Sequence, residues 1–253
     1  MPALFLPDGS DVADPRFFLD TELAAGTSVD LPASVAHHAA HVLRLRETDP
    51  VVLFNGRGGE YHGRLVARGS RVELGAHAAI ERESALAVTL LQPWIATDKM
   101  EWVVEKAVEL GVAGIVLVPA RRSVVQLEGA RLARRVARLR DIVVAACCQC
   151  GRNRVPGVEA CSNLRDGLTR AAANAIGIVL HPEANDSLGD VARSVSGSFA
   201  VAVGPEGGFE TGELALAEQL GYRPVRLGPR VLRTETAGLA ALSTLQATIG
   251  DLR

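Results

Sequence analysis

Three glycines, a proline and a carboxylate directly follow a short apolar segment in the last quarter of this sequence. The segment SFAVAV covers residues 198–203, and GPEGG covers residues 204–208. A tight turn needs one or two such residues, whereas Gly207 and Gly208 both permit positive φ and leave backbone N–H and C=O groups within reach of a ligand. The spacing is neither a dinucleotide fingerprint nor a P-loop. We therefore predict a ligand held by the backbone; the alternative is a tight strand-to-helix turn that binds nothing.

Two further segments leave apolar strands in the same way. Residues 180–183 read LHPE, and residues 226–242 read RLGPRVLRTETAGLAAL, so a proline follows each predicted strand within a few residues. In open parallel sheets, ligands bind at the carboxyl ends of the strands. Three irregular exits from neighbouring strands would therefore form one pocket lined by main-chain groups.

Arginine is concentrated in one part of the chain. Residues 121–154 contain nine arginines and two acidic residues, a net charge of +7, although the whole chain has a net charge of −2. Four of these arginines share one face of a predicted helix, with no acidic residue interleaved. They predict contacts with RNA phosphates; the alternative is an ordinary solvated helix surface. The predicted contacts are Arg121, Arg122, Arg131, Arg134, Arg135, Arg138, Arg152 and Arg154.

Cysteine and histidine residues form no recognisable metal motif. Cys147, Cys148 and Cys150 are too close together for a disulfide framework, so reduced thiols and a cytoplasmic protein are expected. Zinc sites usually use spaced pairs of ligands, and His37 and His41 lack an obvious third ligand. We expect no metal. The N-terminus shows no signal-peptide pattern, and no apolar run approaches about 18 residues, so no membrane segment is expected.

The pattern of the sequence changes near residues 79–86. Residues 1–78 contain short extended segments separated by Gly, Pro and Asp, with one helix-like piece, and predict a small β-rich domain. In residues 79–253, strands such as GIVLVPA and SFAVAV alternate with helices, including a long one at 129–150. Near-continuous apolar strands that alternate with helices predict an α/β fold, with a parallel sheet covered on both faces.

Several motifs in this order resemble one enzyme family. They are HHAAHVLRLRETDPVVLFNGRGGEYHGRL (37–65), EKAVELGV (105–112), RRSVV (121–125), QCGRNRVP (149–156), GPEGGFE (204–210) and LGPRVLRTETA (227–237). Together they resemble the RsmE-type 16S rRNA uridine-N3 methyltransferases of the SPOUT superfamily. The resemblance covers essentially the whole chain, and GPEGG followed by LRTETA is its most specific part.

The resemblance implies an architecture and a set of partners. It implies a PUA-like β-barrel domain at 1–78 that binds RNA and a SPOUT α/β domain with a trefoil knot at 79–253. It also implies a cytoplasmic homodimer that uses S-adenosylmethionine and acts on 16S rRNA of the small ribosomal subunit. Leu239, Leu242 and Leu245 of the last helix are expected at the dimer interface. Further RNA contacts are expected from His38, Arg44 and Arg46.

The family's cofactor loops map onto the same three strand exits. The cofactor-binding residues implied in this way are Leu180, His181, Pro182, Glu183, Gly204, Pro205, Glu206, Gly207, Gly208, Leu227, Gly228, Arg230, Val231, Leu232 and Arg233. The expected reaction methylates N3 of one uridine. The rivals are a SPOUT enzyme that modifies another rRNA or tRNA position and an RNA-binding homologue without catalysis, and intact cofactor loops argue against the latter.

The expected reaction assigns catalytic roles to two residues of LRTETA. N3 of uracil carries a proton at neutral pH, so methyl transfer passes through a state with negative charge on the base. The guanidinium of Arg233 would stabilise that charge, and the carboxylate of Glu235 would accept the proton. The alternative is that Arg233 and Glu235 only pair with each other and order the loop.

Overall fold

The computed structural model describes residues 14–252, and the expectation about a signal peptide concerns residues outside this range. Contacts divide the chain into two compact units. The first extends to Arg82 and also includes Gly151–Arg154, and the second contains Glu83–Cys150 and continues from Val155. The sequence did not indicate that residues 151–154 belong to the first unit, and the domain boundary after residue 78 stays a prediction.

The first unit is built around a five-stranded sheet with the strand order β1-β3-β4-β5-β2. Only β1 and β3 are parallel; the other neighbouring pairs are antiparallel. Alternating side chains of these strands, such as Leu53, Leu65 and Val72, are buried in one apolar core. The elements are β1 (Arg16–Phe18), β2 (Ser28–Asp30), α1 (Ala33–His37) with a π-helical turn (His38–Val42), β3 (Pro50–Phe54), β4 (Glu60–Val66) with a short 3₁₀ turn (Ala67–Gly69), and β5 (Arg71–Ala78).

A buried polar cluster holds the segment Gly151–Arg154 inside the first unit. Arg16 donates from Nη1 to Oε2 of Glu60 at 2.6 Å, and the side-chain amide of Asn153 donates to the same oxygen at 3.0 Å. Burial alone would raise the pKa of Glu60, but the hydrogen bonds from Arg16, Asn153 and Arg82 outweigh it and hold that pKa below its usual value. The buried carboxylate is therefore ionised and fully compensated.

The second unit contains the predicted alternation of strands and helices. The long helix matches its predicted bounds, whereas the strand and helix between residues 157 and 171 were not anticipated. The elements are β6 (Val88–Pro93), α2 (Thr97–Glu109), β7 (Gly114–Val118), α3 (Gly129–Cys150), β8 (Gly157–Ala160), α4 (Leu164–Ala171), β9 (Ile176–Leu180), α5 (Leu188–Ser194), β10 (Phe199–Ala202), α6 (Thr211–Gln219), β11 (Arg223–Val225) and α7 (Thr234–Ile249).

The sheet of the second unit is parallel throughout, with the order β11-β9-β10-β6-β7-β8. The strands β11, β9 and β10 are neighbours and end in register, because Leu180 lies beside Val225 and Val179 lies beside Ala202. The carboxyl ends of these three strands therefore meet at one edge of the sheet. The predicted α/β fold with a parallel sheet is confirmed.

Helices cover both faces of this sheet. α4 and α6 pack on the face that carries Leu91, and α7 packs on the opposite face over Leu90. The three leucines of α7 that were expected at a dimer interface are buried inside the unit, so this expectation is wrong; they are Leu239, Leu242 and Leu245. No helix among residues 14–252 combines the length and the apolar character needed to cross a bilayer.

Candidate active site

A pocket of about 380 Å³ lies at the edge of the sheet where β9, β10 and β11 end. Its volume is in the range of small-molecule binding sites. Two residues of the predicted cofactor set, Glu183 and Gly207, do not line it, and Glu183 lines a separate surface concavity. The predicted residues that do line it are Leu180, His181, Pro182, Gly204, Pro205, Glu206, Gly208, Leu227, Gly228, Arg230, Val231, Leu232, Arg233 and Glu235.

The two glycines at the end of GPEGG have different structural roles. Gly208 has a φ of +70°, and its N–H donates to the carbonyl of Pro205 at 2.9 Å, which closes the turn. The expectation that Gly207 also adopts positive φ is wrong. A Cβ on Gly207 would lie 3.1 Å from Cβ of Arg122, whose guanidinium donates to the carbonyl of Gly207 at 2.9 Å. A side chain at position 207 would therefore crowd the side chain of Arg122.

The hydroxyl of Thr234 joins three segments beneath the pocket. The side-chain amide of Gln92, at the end of β6, donates to Thr234 Oγ1 at 3.0 Å, and this hydroxyl donates to the carbonyl of Gly204 at 2.7 Å. Gln92 is fully buried and Thr234 is nearly so. The start of α7 is therefore fixed to both the GPEGG loop and the central strand β6.

The carboxylate of Glu235 forms an ion pair across two helices. Lys99, in the first turn of α2, lies with Nζ 2.8 Å from Oε1 of Glu235, in the first turn of α7. The hydrogen bond from Lys99 lowers the pKa of Glu235, and partial burial, which acts in the opposite direction, does not reverse this. Glu235 is ionised at neutral pH. Its ion pair among the described residues is with Lys99, so the mutual pair with Arg233 considered from the sequence does not form; Arg233 is exposed.

Sequence reasoning missed five residues that line the pocket. Thr234 lies inside the LRTETA motif, and the buried Gln92 below it interrupts an otherwise apolar strand, which was a usable signal. No local sequence pattern indicated Lys99, because it lies in α2, far in the sequence from the three strand exits. The missed lining residues are Lys99, Val203, Val225, Thr234 and Ala237.

The arginines of α3 fall into two groups. Arg135 donates to Glu101 of α2 at 2.9 Å and to the carbonyl of Thr97 at 2.6 Å, and Arg138 reaches the same carboxylate at 3.4 Å. The expectation that the stripe lacks acidic partners is therefore wrong for these two. Arg131 and Arg134 are exposed and form no ion pair within residues 14–252. These two are the arginines of α3 most available to a phosphate.

The other predicted RNA contacts differ in exposure. Arg121 and Arg122 are exposed and lie 3.8 and 3.7 Å from the carboxylate of Glu210. Arg152 is only 6% exposed, so its prediction as an RNA contact is wrong. Within the first unit, the exposed predicted residues are His38, Arg44, Arg46 and Arg154. No group of three or more potential metal ligands occurs in the part of the chain that the structure describes.

Two known domain families match this chain. The RNA methyltransferase domain family matches residues 82–246, and the RNA methyltransferase PUA domain family matches residues 31–72. The ribosomal RNA small subunit methyltransferase E of Mycobacterium bovis is 33% identical over 238 residues, which cover 90% of each chain.

Two solved structures are similar over their whole length. The ribosomal RNA small subunit methyltransferase E of Neisseria gonorrhoeae, bound to S-adenosylmethionine, is 37% identical, with a TM-score of 0.87 and coverage of 95% of this chain and 100% of that one. A methyltransferase of Legionella pneumophila, also in complex with S-adenosylmethionine, is 33% identical, with a TM-score of 0.88 and the same coverage.

The second unit is a parallel α/β unit with a pocket at the carboxyl ends of its strands. An RNA methyltransferase family matches it, and a PUA domain match precedes it in the sequence, so the chain is an RNA methyltransferase. The chain belongs to the family of ribosomal RNA small subunit methyltransferase E. The resemblance inferred from the sequence motifs is confirmed.

Replacement of Thr234 by Val tests the link beneath the pocket. The substitution keeps the shape but removes the donor to the carbonyl of Gly204 and leaves the amide of Gln92 with only a long contact of 3.4 Å to the carbonyl of Pro93, so the free energy of unfolding in urea should fall by about 1–3 kcal/mol. Thr244→Val is the matched control, because Thr244 donates only to Ala240 within its own helix. Equal destabilisation by the two substitutions would contradict the linking role of Thr234.

Proposed function

We propose that this protein methylates N3 of one uridine of 16S rRNA in the small ribosomal subunit, with S-adenosylmethionine as the methyl donor. The observation that carries the proposal is the convergence of three strand exits on one pocket. Family membership supports rRNA as the substrate, and the two similar structures that contain S-adenosylmethionine support the cofactor.

The residues of the pocket fit such a cofactor. The loops after β9, β10 and β11 offer backbone groups to an adenosine and apolar side chains to its ring, and the pocket volume of about 380 Å³ is sufficient for a molecule of this size. Gly208 provides the turn that brings the backbone close. When bound, the cofactor supplies a methyl group already activated by a positively charged sulfur, so the protein has to position the base and remove its proton.

Arg233 and Glu235 are proposed as the catalytic residues. Arg233 is exposed at the mouth of the pocket, where a guanidinium can stabilise negative charge on the uracil oxygens. Glu235 is held ionised by Lys99, which is the state required of a proton acceptor. A lowered pKa also makes the carboxylate a weaker proton acceptor, so Glu235 would have to contact N3 of the uracil directly to take its proton.

RNA binding is proposed for exposed basic residues in each unit. Arg131 and Arg134 of α3 are supported by their exposure and by the absence of ion pairs within residues 14–252. His38, Arg44 and Arg46 belong to the unit matched in part by the PUA family, which supports the same role. Both units would thus contribute positive charge to binding of the rRNA.

Further features are proposed from family membership. They are a cytoplasmic location, a trefoil knot in the second unit, two domains with a boundary near residue 78, and a homodimer. For the homodimer, the exposed apolar side chains of Trp102 (46%), Val124 (76%) and Val231 (79%) replace the buried leucines of α7 as candidate interface residues.

Nucleoside analysis by mass spectrometry tests the function directly. Small subunits from a strain that lacks the corresponding modification should gain 3-methyluridine in 16S rRNA when incubated with this protein and S-adenosylmethionine. Arg233→Ala should lose most of this product and keep affinity for S-adenosylhomocysteine within a few-fold. A methylated ribose or another methylated base would contradict the proposed position, and cofactor binding without any product would favour an RNA-binding homologue.

Calorimetric binding of S-adenosylhomocysteine tests the cofactor loops. We expect micromolar affinity that Gly208→Val abolishes or weakens at least about tenfold, because a β-branched residue adopts the left-handed region at a cost of about 1–3 kcal/mol. Gly221→Val is the matched control: Gly221 has a φ of +84°, is equally open around its Cα, and does not line the pocket. Equal effects of both substitutions would contradict the assignment.

Salt dependence of RNA binding tests the exposed arginines of α3. Replacement of Arg131 and Arg134 by Ala should weaken binding of 16S rRNA fragments and lower the slope of log K against log salt by about one unit per lost contact. Arg193→Ala is the control, since Arg193 is also exposed but lies on α5, where it pairs with Asp190 of the same helix. An unchanged slope in the double variant would mean that these arginines are ordinary solvated surface.

A further inference from the structure

Lys99 lines the pocket, but neither the sequence motifs nor the proposed mechanism assigns it a contact with a ligand. Its side chain is 33% exposed and lines the pocket, and its Nζ lies 2.8 Å from Oε1 of Glu235. An ammonium group has three donors, and the pair with Glu235 uses one. Two donors of Lys99 are therefore not used by this pair, on a side chain that lines the pocket.

The location of Lys99 is unfavourable for a purely structural lysine. It lies in the first turn of α2, where the helix dipole disfavours a positive charge. Its partner Glu235 lies in the first turn of a different helix, α7, where the dipole favours a negative charge. The pair is therefore fixed by two packed helices, and the cation remains in a position that its own helix does not stabilise.

Glu235 is the more buried member of the pair. Its side chain is 15% exposed, and its second oxygen, Oε2, has no accessible surface and no hydrogen-bond partner among the described residues. Both residues line the pocket, and Lys99 is the more exposed member of the pair. The other charged residues that line the pocket are Glu206, Arg230 and Arg233.

We propose that Lys99, oriented by Glu235, binds an anionic oxygen inside the pocket. The inference rests on the proposed function, which offers two sources of such an oxygen. One is the carboxylate of the amino-acid part of the cofactor, and the other is the uracil oxygen that gains negative charge as N3 loses its proton. Lys99 then touches the cofactor or the base, and Glu235 is its positioning residue. This contact does not depend on whether Glu235 also accepts the proton.

Calorimetry with two cofactor fragments separates these sources. S-adenosylhomocysteine contains the carboxylate, and 5′-methylthioadenosine lacks the whole amino-acid part. If Lys99 binds the carboxylate, Lys99→Met should weaken binding of S-adenosylhomocysteine by about tenfold to a hundredfold, the size of one charge-assisted hydrogen bond, and leave that of 5′-methylthioadenosine unchanged. Lys99→Arg should retain most of the affinity because it keeps the charge.

Methyl transfer kinetics provides the second arm. If the oxygen belongs to the base, Lys99→Met should leave both affinities unchanged and lower kcat by a similar factor, with recovery in Lys99→Arg. Unchanged affinities together with an unchanged kcat would overturn the inference, and so would equal losses for both fragments, since those would indicate a damaged pocket. If Lys99→Met shows the selective loss of S-adenosylhomocysteine affinity but the protein forms no 3-methyluridine, the inference holds and the proposed function fails.

Two further variants test the positioning role of Glu235. In calorimetry with S-adenosylhomocysteine, Glu235→Gln should weaken binding less than Lys99→Met does, and the double variant should lose no more than Lys99→Met alone, because both changes act through one contact. Additive losses would overturn the positioning role. Lys106→Met is the matched control: Lys106 lies on the same helix and also pairs with glutamates, Glu105 and Glu109, but it does not line this pocket.

Discussion

The hydroxyl of Thr234 is the interaction on which the geometry of the pocket depends. The hydrogen bonds between parallel strands stop where the strands end. The GPEGG loop and the segment before α7 lie beyond those ends. Thr234 accepts from Gln92 of β6 and donates to Gly204, so one side chain connects the central sheet, the loop after β10 and the start of α7. A pocket built from loops is preorganised for its ligand when those loops are held in this way.

The charged side chains of the two units differ in how deeply they are buried, and their roles differ with it. Glu60 and Asn153 are buried and bonded in the first unit, where they stabilise structure. The pair of Lys99 and Glu235 is intermediate, with side chains that are 33% and 15% exposed. Glu101 ties Arg135 and, more weakly, Arg138 to α2, Arg140 donates to the carbonyl of Val158, and Arg131 and Arg134 are exposed. A single helix thus carries both structural arginines and arginines available to RNA.

Local sequence signals predicted the parts of this protein that depend on periodicity. The apolar strands, the bounds of α3 and the position of the pocket at three strand exits followed from patterns within about 20 residues. Short β8 was missed because a four-residue strand at the sheet edge has little apolar character. Amphipathic α4 was missed although Asn163 caps its start, so a local signal was present there and was not used. The backbone conformation of Gly207 and the ion pair of Lys99 were also missed. Both are set by residues distant in the sequence, Arg122 and Glu235, which only the folded chain brings close.

The return of Gly151–Arg154 into the first unit has a consequence for biosynthesis. Arg16 and Glu60 leave the ribosome early, whereas Asn153, which bonds both of them, is translated only after β6, α2, β7 and α3. In the nascent first unit, Arg16 and Glu60 therefore lack their bonds to Asn153 until more than half of the polypeptide has been made. A gene fragment that stops at Arg82 encodes every strand of the first sheet but not the short peptide that completes its polar interior.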